Sequence, residues 1–205
     1  MHLITTTPPA APALAVADAR AHLRLASSED AYLEALIAVA TTWVEAWTGR
    51  ALINRTYTYK RDRFPCASWC LPQGRPWGND QPIELPYPPL VSVTSVTYRD
   101  TESSTLTLSG STDYELDLGS SPGQIIARYG KCWPLALDHP LSITVVYVAG
   151  YGASDALVPP QIRHAIMLLV GHLYENREAS SPIAVNTVPY GIEHLLMPWR
   201  VFTRY

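Results

Sequence analysis

The feature that most constrains the fold of this chain is a change of hydrophobic periodicity just after residue 49. Before it, apolar residues recur at the spacing of one helix face: Leu33, Leu36, Ile37, Ala40, Val44 and Trp47. Gly49 follows, where helices commonly end in a left-handed residue. After it, residues 56–60 are β-branched and aromatic, which is typical of a strand. The sequence therefore predicts a long amphipathic helix followed directly by a β-rich region.

The middle third of the chain predicts a small antiparallel β-domain. Short runs with strand composition are separated by turn signals such as Ser109-Gly110-Ser111 and Ser121-Pro122-Gly123. A Pro-, Gly- and Trp-rich loop spans 64–82 and separates the first predicted strand from the others. The predicted strands are 56–60, 83–85, 91–99, 106–108, 114–118, 124–127 and 142–149.

Helical patterns flank this β-rich middle. A short helix is predicted from residue 14 to 25, after an extended Pro-rich lead-in with no core of its own, and Ser27-Ser28 is a candidate cap for the long helix. Helix resumes at Pro160 and runs to about Glu178, and a shorter helical segment lies between Pro189 and Pro198. We therefore predict an α+β fold, a helical core from the N- and C-terminal thirds with an inserted small antiparallel β-domain. The predicted regions are 1–52, 53–155, 156–180 and 181–205.

Charge and hydropathy exclude several classes of function. The formal net charge of -3 and the absence of Lys or Arg clusters argue against a protein that grips nucleic acid phosphates. A DNA-binding helix-turn-helix around Ser27 is also excluded. Its recognition helix would begin with the acidic residues Glu29, Asp30 and Glu34, which DNA phosphates would repel. No apolar run is long enough to predict a membrane span, and no secretory signal opens the chain, so reduced thiols are expected in a cytosolic product.

Patterns typical of metal, nucleotide or nucleophilic sites are incomplete. Cys66, Cys70 and Cys132 lack paired metal-ligand spacing, and no His-Glu-x-x-His pattern occurs. The glycines between 123 and 130 are too far apart for a phosphate loop. His164 and His172 fit a helix edge better than a general base, since neither has an obvious carboxylate partner. We expect no catalytic residue, no metal and no cofactor.

Three alternating acids provide the main opposing hypothesis. Asp113, Glu115 and Asp117 share one face of a predicted strand, which would suit calcium or paired-acid catalysis if they lined a pocket. They also fit a solvated strand face, with Tyr114, Leu116 and Leu118 pointing inward. A small β-domain enzyme or ligand-binding protein therefore stays open as an alternative.

An ordered set of segments resembles the head–tail connector (adaptor) proteins of long-tailed phages, prophages and gene transfer agents. The segments occur in the family's order and span most of the chain from Leu14 to Phe202. They are ARAHLRL at 19–25, DAYLEALI at 30–37, VEAWTGRAL at 44–52, IELP at 83–86, PLVSV at 89–93, YVAGYG at 147–152, VPPQIRHAI at 158–166 and GHLYENRE at 171–178.

The resemblance implies a structural role in a virion or phage-like particle. Family members form a ring of about a dozen copies that docks on the portal on one side and receives head-closure or tail proteins on the other. DNA passes non-specifically through the lumen. The resemblance thus implies a homo-oligomer made in the bacterial cytoplasm, with no enzymatic activity and no membrane contact. A different junction component, a head-closure or tail-terminator protein, is the alternative within this class, although it would lack the two helical flanks.

Two sets of residues are candidate contacts for such a role. The C-terminal segment is rich in apolar, aromatic and Arg side chains, which are common interface anchors, and we predict that it docks on the portal. Its alternative is a helix folded back on its own core. A second stripe of the long helix is a candidate ring contact, because a closed ring needs two different patches, and its alternative is core. The portal set is Tyr190, Ile192, Leu195, Leu196, Trp199, Arg200, Phe202 and Tyr205; the ring set is Tyr32, Val39 and Trp43.

Overall fold

The computed structural model of the chain describes residues 2–26, 29–65, 81–176 and 190–202. The predicted cap Ser27-Ser28 and most of the predicted loop, residues 66–80, lie outside them. The chain divides into two compact units, which we call the β unit and the helical unit. The β unit comprises Met1–Pro8 and Arg55–Gly150, and the helical unit comprises Pro9–Asn54 and Tyr151–Tyr205.

The described residues of the β unit form antiparallel strands. The strands are β1 His2–Thr7, β2 Arg55–Arg61, β3 Ile83–Leu85, β4 Leu90–Arg99, β5 Thr105–Leu108, β6 Tyr114–Asp117, β7 Gly123–Ala127 and β8 Ile143–Ala149. Within this part of the chain they make a five-stranded sheet in the order β1-β2-β8-β4-β5 and a three-stranded sheet in the order β3-β7-β6.

The core of the β unit follows from the alternation of its central strand. In β8, Ile143, Val145, Tyr147 and Ala149 are buried while the residues between them are partly exposed, as expected when one sheet face is covered. The Tyr147 hydroxyl donates a hydrogen bond to the Pro86 carbonyl at 2.7 Å. The two sheets approach closely at Gly123, where an added Cβ would lie 2.5 Å from the Cβ of Leu90.

Strand β1 differs from the sequence prediction. Residues 2–7 were expected to be part of a lead-in without a core, whereas they pair antiparallel with β2 at the edge of the five-stranded sheet. Five of the six side chains are exposed and the sixth is half-buried. The hydroxyl of Thr6 also lies 2.6 Å from that of Thr58 in β2. Because the side chains of β1 are mostly exposed, they show no alternation that sequence analysis would detect.

In the described residues of the helical unit, four α-helices surround one apolar cluster. They are α1 Val16–Leu23, α2 Asp30–Thr48, α3 Pro160–Glu175 and α4 Tyr190–Leu196. Each helix contributes the apolar stripe that amphipathic periodicity predicts. The α2 stripe of Leu33, Ile37, Ala40 and Val44 and the α3 stripe of Ile162, Ile166 and Leu169 belong to this cluster, together with residues of α1 and α4.

Two ion pairs connect α1 with its neighbours. Arg20 binds Asp30 at the start of α2 through both carboxylate oxygens, at 3.0 and 2.7 Å. Arg163 of α3 reaches Asp18 at 3.1 Å. Their side chains are about a third to half exposed, so we expect each pair to stabilise the fold by only about 0–1 kcal/mol. The buried apolar cluster therefore dominates the stability of this unit.

The prediction of a mixed chain with helices and antiparallel strands is confirmed. Each sequence-predicted strand matches an observed one to within about two residues at either end, and α2 lies where the periodicity placed it. The boundaries 1–52, 53–155, 156–180 and 181–205 stay predictions. In the part of the chain that the structure describes, no helix combines the length and apolar character needed to cross a membrane.

Candidate interaction surface

The acids that suggested a calcium or acid-pair site are engaged by their own turns. Asp117 Oδ1 accepts hydrogen bonds from the N–H groups of Gly119 and Ser120 at 2.9 and 3.2 Å. Asp113 Oδ2 accepts one from the Ser109 N–H at 2.9 Å. The hydroxyl of Ser120, followed by the Gly119 N–H, lowers the pKa of the Asp117 carboxyl. A carboxylate held charged in this way fixes a turn and is poorly suited to proton transfer at neutral pH.

The remaining acid and its neighbours correct the predicted strand faces. Glu115 pairs with Arg128 at 3.0 Å on the surface. Of the three residues expected to point inward, Tyr114 is buried, but Leu116 and Leu118 are 38% and 49% exposed. That part of the prediction was wrong, because β6 ends at Asp117 and lies at an edge of the three-stranded sheet.

The histidines of α3 do not assemble a catalytic pair. His164 lies edge-on to His22 of α1, with ring centroids 6.4 Å apart. The amide of Asn176 lies 3.3 Å from Nδ1 of His172 and donates to its backbone carbonyl at 2.8 Å. Among the described residues, no group of three or more His, Cys, Asp or Glu side chains could hold a metal ion. Both histidines fit the helix-edge role.

Of the residues in the glycine and cysteine patterns, the structure describes Gly123, Gly130 and Cys132. Gly130 has φ of 78°, which marks a turn where glycine is favoured. The thiol-bearing residue Cys132 is exposed. Cys66 and Cys70 lie outside the described residues.

One cleft of about 500 Å³ in the β unit is lined by charged groups. Arg63 and Asp138 on its wall form an ion pair at 2.6 Å, with side chains 75% and 79% exposed. Asp62 accepts the Leu141 N–H at 2.8 Å. Three of the charged side chains that line the cleft, Asp62, Arg63 and Asp138, are therefore engaged by one another or by the backbone.

The predicted ring residues lie on the outward side of α2. Val39 and Tyr32 are 57% and 37% exposed, so they are surface residues of the chain. Trp43 is half-buried and stacks on Trp47 with a centroid distance of 6.4 Å and an interplanar angle of 20°. Tyr32 approaches the ring of Tyr174 at 6.0 Å. The use of these residues as a ring contact stays a prediction.

The predicted portal residues divide into an inner and an outer set. Ile192 and Leu196 are 1% and 0% exposed and belong to the core of the helical unit, as the alternative of a helix folded on its own core expects. The outer set is Leu195, Trp199, Arg200 and Phe202, with Leu195 and Trp199 half-buried and Arg200 and Phe202 exposed. Tyr190 begins α4, while its side chain and the whole of Tyr205 lie outside what the structure describes. For the outer set, docking on the portal stays a prediction.

The chain after α4 runs along the end of α2. A 3-10 turn, Met197–Trp199, follows α4, and the Val201 N–H then donates to the Thr48 carbonyl at 2.8 Å. Arg50 donates from Nε to the Trp199 carbonyl at 2.6 Å. The Trp199 ring meets Tyr151 edge-on at 6.3 Å. Burial raises the pKa of the Tyr151 hydroxyl, with the positive charge of Arg50 opposing the shift.

These contacts bring residues from the two predicted sets onto one surface. The Arg200 guanidinium carbon lies 5.0 Å from the centroid of Trp47, which in turn stacks on Trp43. The same carbon lies 5.3 Å from the centroid of Phe202. We call Trp43, Trp47, Arg200 and Phe202 the aromatic–arginine surface. Aromatic faces and guanidinium groups attract one another, and such residues are frequent anchors in protein interfaces.

Sequence reasoning missed one member of this surface and one residue that supports it. Trp47 was assigned to the buried stripe of α2, yet it is half-buried and contacts Arg200. Arg50 appeared only within the segment VEAWTGRAL at 44–52. The Thr-Gly-Arg pattern in that segment was the available signal, since a helix end with an αL glycine leaves carbonyls that another segment can bind.

No family model and no curated protein matches the sequence significantly. Three chains from solved structures share its fold over its whole length and over 98% of their own. One is from the neck of an empty gene transfer agent (GTA) particle computed with C6 symmetry, and another is from the virion of a native GTA particle, each with a TM-score of 0.75 and 25% identity. A third, from the neck of a native GTA particle computed with C12 symmetry, has a TM-score of 0.68 and 24% identity. The chain therefore has the fold of structural components of GTA necks and virions.

Proposed function

We propose that this chain is a structural, non-enzymatic subunit of the head–tail junction of a phage-like particle of the gene transfer agent type. Its role is that of an adaptor ring between the portal and the head-closure or tail proteins. The observation that carries the proposal is the likeness to a GTA neck chain across the full length of both chains, at a TM-score of 0.75. Such complete coverage supports a shared assembly role more strongly than a common domain would.

A ring of about a dozen identical copies is part of the proposal. The neck structure matched at 25% identity was computed with C6 symmetry, which a ring of six or twelve copies satisfies. A closed ring requires two different patches per subunit. The exposed residues Tyr32 and Val39 supply one candidate patch, together with Trp43, which is half-buried against the helical core.

The portal contact is assigned to the outer set of the C-terminal segment. Leu195, Trp199, Arg200 and Phe202 are accessible to different degrees, whereas Ile192 and Leu196 are committed to the core. The formal net charge of -3 suits a lumen through which DNA slides, because a strongly basic lining would retain it. The opposite side of the ring would receive the head-closure or tail protein.

The proposal includes the finer arrangement in which the β-domain is an insertion in a helical core. Two observations support it: the β unit takes most of its residues from one continuous stretch, Arg55–Gly150, and the helical unit takes residues from both sides of that stretch. The apolar cluster likewise combines residues of α2 with residues of α3. Helices on both flanks also favour the adaptor over a head-closure or tail-terminator protein.

The rival of a β-domain enzyme has less support. It required perturbed acids lining a pocket. Asp113 and Asp117 instead hold adjacent turns, and Glu115 pairs with a surface arginine.

The mass of the protein, alone and mixed with portal rings of the same particle, tests the proposed function. We expect native mass spectrometry to show many copies of this chain bound to each portal ring, even if the free protein is a monomer. A portal ring that acquires no copies at micromolar concentrations would reject the adaptor role. Mixing with head-closure protein alone is the control, because that contact is expected to need the assembled ring.

A further inference from the structure

We infer that the turn Thr48-Gly49-Arg50 holds the C-terminal segment so that Arg200 offers its guanidinium to a carboxylate on the portal. This inference rests on the proposed function and adds to it the chemistry of the contact and the residues that position it. All three residues of the turn contact the C-terminal segment, although the sequence separates Arg50 from Trp199 by 149 positions.

Thr48 binds the backbone of Val201, and Gly49 lies beside it. The Thr48 carbonyl, one of those that the end of α2 leaves without a helical partner, accepts the Val201 N–H at 2.8 Å. Gly49 has φ of 68°, where glycine avoids the strain of a side chain. A Cβ at Gly49 would lie 3.6 Å from the Val201 carbonyl oxygen. The segment therefore packs directly on the helix end.

Arg50 fixes the residue immediately before Arg200. Its Nε donates to the Trp199 carbonyl at 2.6 Å, and its guanidinium carbon lies 6.0 Å from the Trp199 ring centroid. Tyr151 meets the same ring edge-on. With Trp199 and Val201 both held, the backbone on either side of Arg200 is constrained, and so is the direction of its side chain.

Arg200 is presented with its donors available. The guanidinium carbon lies 5.0 Å from the Trp47 centroid and 5.3 Å from the Phe202 centroid. Stacking occupies the faces of a guanidinium, whereas its N–H donors lie in its plane. Within residues 2–26, 29–65, 81–176 and 190–202, no carboxylate forms an ion pair with Arg200. An exposed arginine that lies beside aromatic rings and follows a constrained backbone is suited to bind a carboxylate from another molecule.

The chemistry of the partner follows from these surroundings. A carboxylate matches the fork of an arginine with two parallel hydrogen bonds. The aromatic rings of Trp47 and Phe202 would contact apolar side chains around that carboxylate and exclude water, which strengthens a charge-assisted bond. Because the proposed function assigns the outer set to the portal, the occupant is an Asp or Glu of the portal flanked by apolar residues.

Arg200→Gln tests the contact itself. We expect its affinity for isolated portal rings to fall by about tenfold to a hundredfold, the range of a lost charge-assisted hydrogen bond. Arg200→Lys keeps the charge but loses the planar fork, so we expect an intermediate loss. The matched control is Arg24→Gln, which removes an exposed cation of the same unit that forms no described ion pair. Equal affinities for Arg200→Gln and Arg24→Gln would overturn the inference while leaving the adaptor role intact.

Arg50→Ala tests the holding turn independently of the portal. We expect the Val201 amide of the free full-length protein to exchange its hydrogen roughly fivefold faster or more, as the loss of about one hydrogen bond predicts. Portal affinity should fall in parallel, with partial recovery in Arg50→Lys, which retains a donor. If Arg50→Ala fails to fold, Arg50→Lys and Arg200→Gln still decide the matter. Unchanged Val201 exchange in a folded Arg50 variant would overturn the holding role, and a wild type that ignores the portal would reject both proposals.

Discussion

The two ends of the chain are both attached to the fold, but by different means. At the N-terminus, β1 pairs with β2 through its backbone, while its side chains are exposed apart from the half-buried Leu3. At the C-terminus, α4 buries Ile192 and Leu196 completely, and the residues that follow bind the end of α2. One end therefore depends on strand pairing, and the other depends on side-chain packing.

This difference separates stability from recognition. Backbone pairing needs few particular side chains, so we expect most substitutions at residues 2–7 to leave β1 paired, apart from those at Thr6, whose hydroxyl lies 2.6 Å from that of Thr58. The C-terminal segment uses its buried side chains to anchor itself, which leaves Arg200 and Phe202 exposed in a fixed place. Truncating a buried anchor should therefore lower the free energy of unfolding far more than removing the edge strand does.

The largest effect is expected for Leu196→Ala. Leu196 is fully buried in the core of the helical unit, and truncation of such a side chain removes apolar contacts and leaves a cavity. We expect the free energy of unfolding to fall by about 2–5 kcal/mol. Urea unfolding followed by the helical circular dichroism signal measures it.

The neighbouring residue provides the matched control for that experiment. Leu195→Ala removes the same atoms at a half-buried position, so we expect a loss of about 1 kcal/mol or less. Equal losses at residues 195 and 196 would contradict the packing of α4 on its own core. They would also revive the interpretation of this helix as a segment that packs only on a partner.

A smaller effect is expected when residues 2–7 are deleted. The lost strand hydrogen bonds are worth about 1 kcal/mol each, but the backbone entropy regained on release is about 1–2 kcal/mol per residue. These terms largely cancel, so we expect a net loss of about 1 kcal/mol in the unfolding of the β unit. Hydrogen exchange of the β2 amides localises the change, and Ile4→Thr, at a 43% exposed position, should behave like wild type. If the deletion lowers the free energy of unfolding as much as Leu196→Ala does, the two ends do not differ in how strongly they stabilise the fold.

The same contrast explains which elements sequence analysis could find. In β8, the buried residues alternate with partly exposed ones, and the prediction of 142–149 agrees with the observed Ile143–Ala149. In β1, exposed threonines next to Pro8 give no period, and the strand was missed. The prediction that Leu116 and Leu118 point inward was wrong for the opposite reason. The alternation is present in the sequence, but alternation alone does not show that β6 is an edge strand.

The candidate site was predictable only as residue types. Trp199, Arg200 and Phe202 were recognised because aromatic and arginine side chains are common in interfaces. Their arrangement depends on contacts between distant parts of the chain, such as the Val201 N–H with the Thr48 carbonyl. Local periodicity does not encode such a contact, although the Thr-Gly-Arg pattern marks the helix end where it forms.

The smallest effect concerns the ionisation of Tyr151, which reports whether the C-terminal segment covers it. Burial raises the pKa of this hydroxyl above its ordinary value of 10.0, so the folded protein holds the phenol proton more tightly than the unfolded chain does. The stabilisation is fully present below pH 10.0 and is lost as the pH rises through the folded pKa. Tyr151→Phe should match wild type at neutral pH and lose less stability in alkali. Tyr114→Phe is the control, because burial also raises the pKa of the Tyr114 hydroxyl. Tyr114 belongs to the β unit, so its substitution should not change the response of the helical unit to alkali. If Tyr151→Phe and wild type lose stability in parallel above pH 10.0, the Tyr151 hydroxyl is not shielded from water in the folded protein, and its edge-on contact with Trp199 does not cover it.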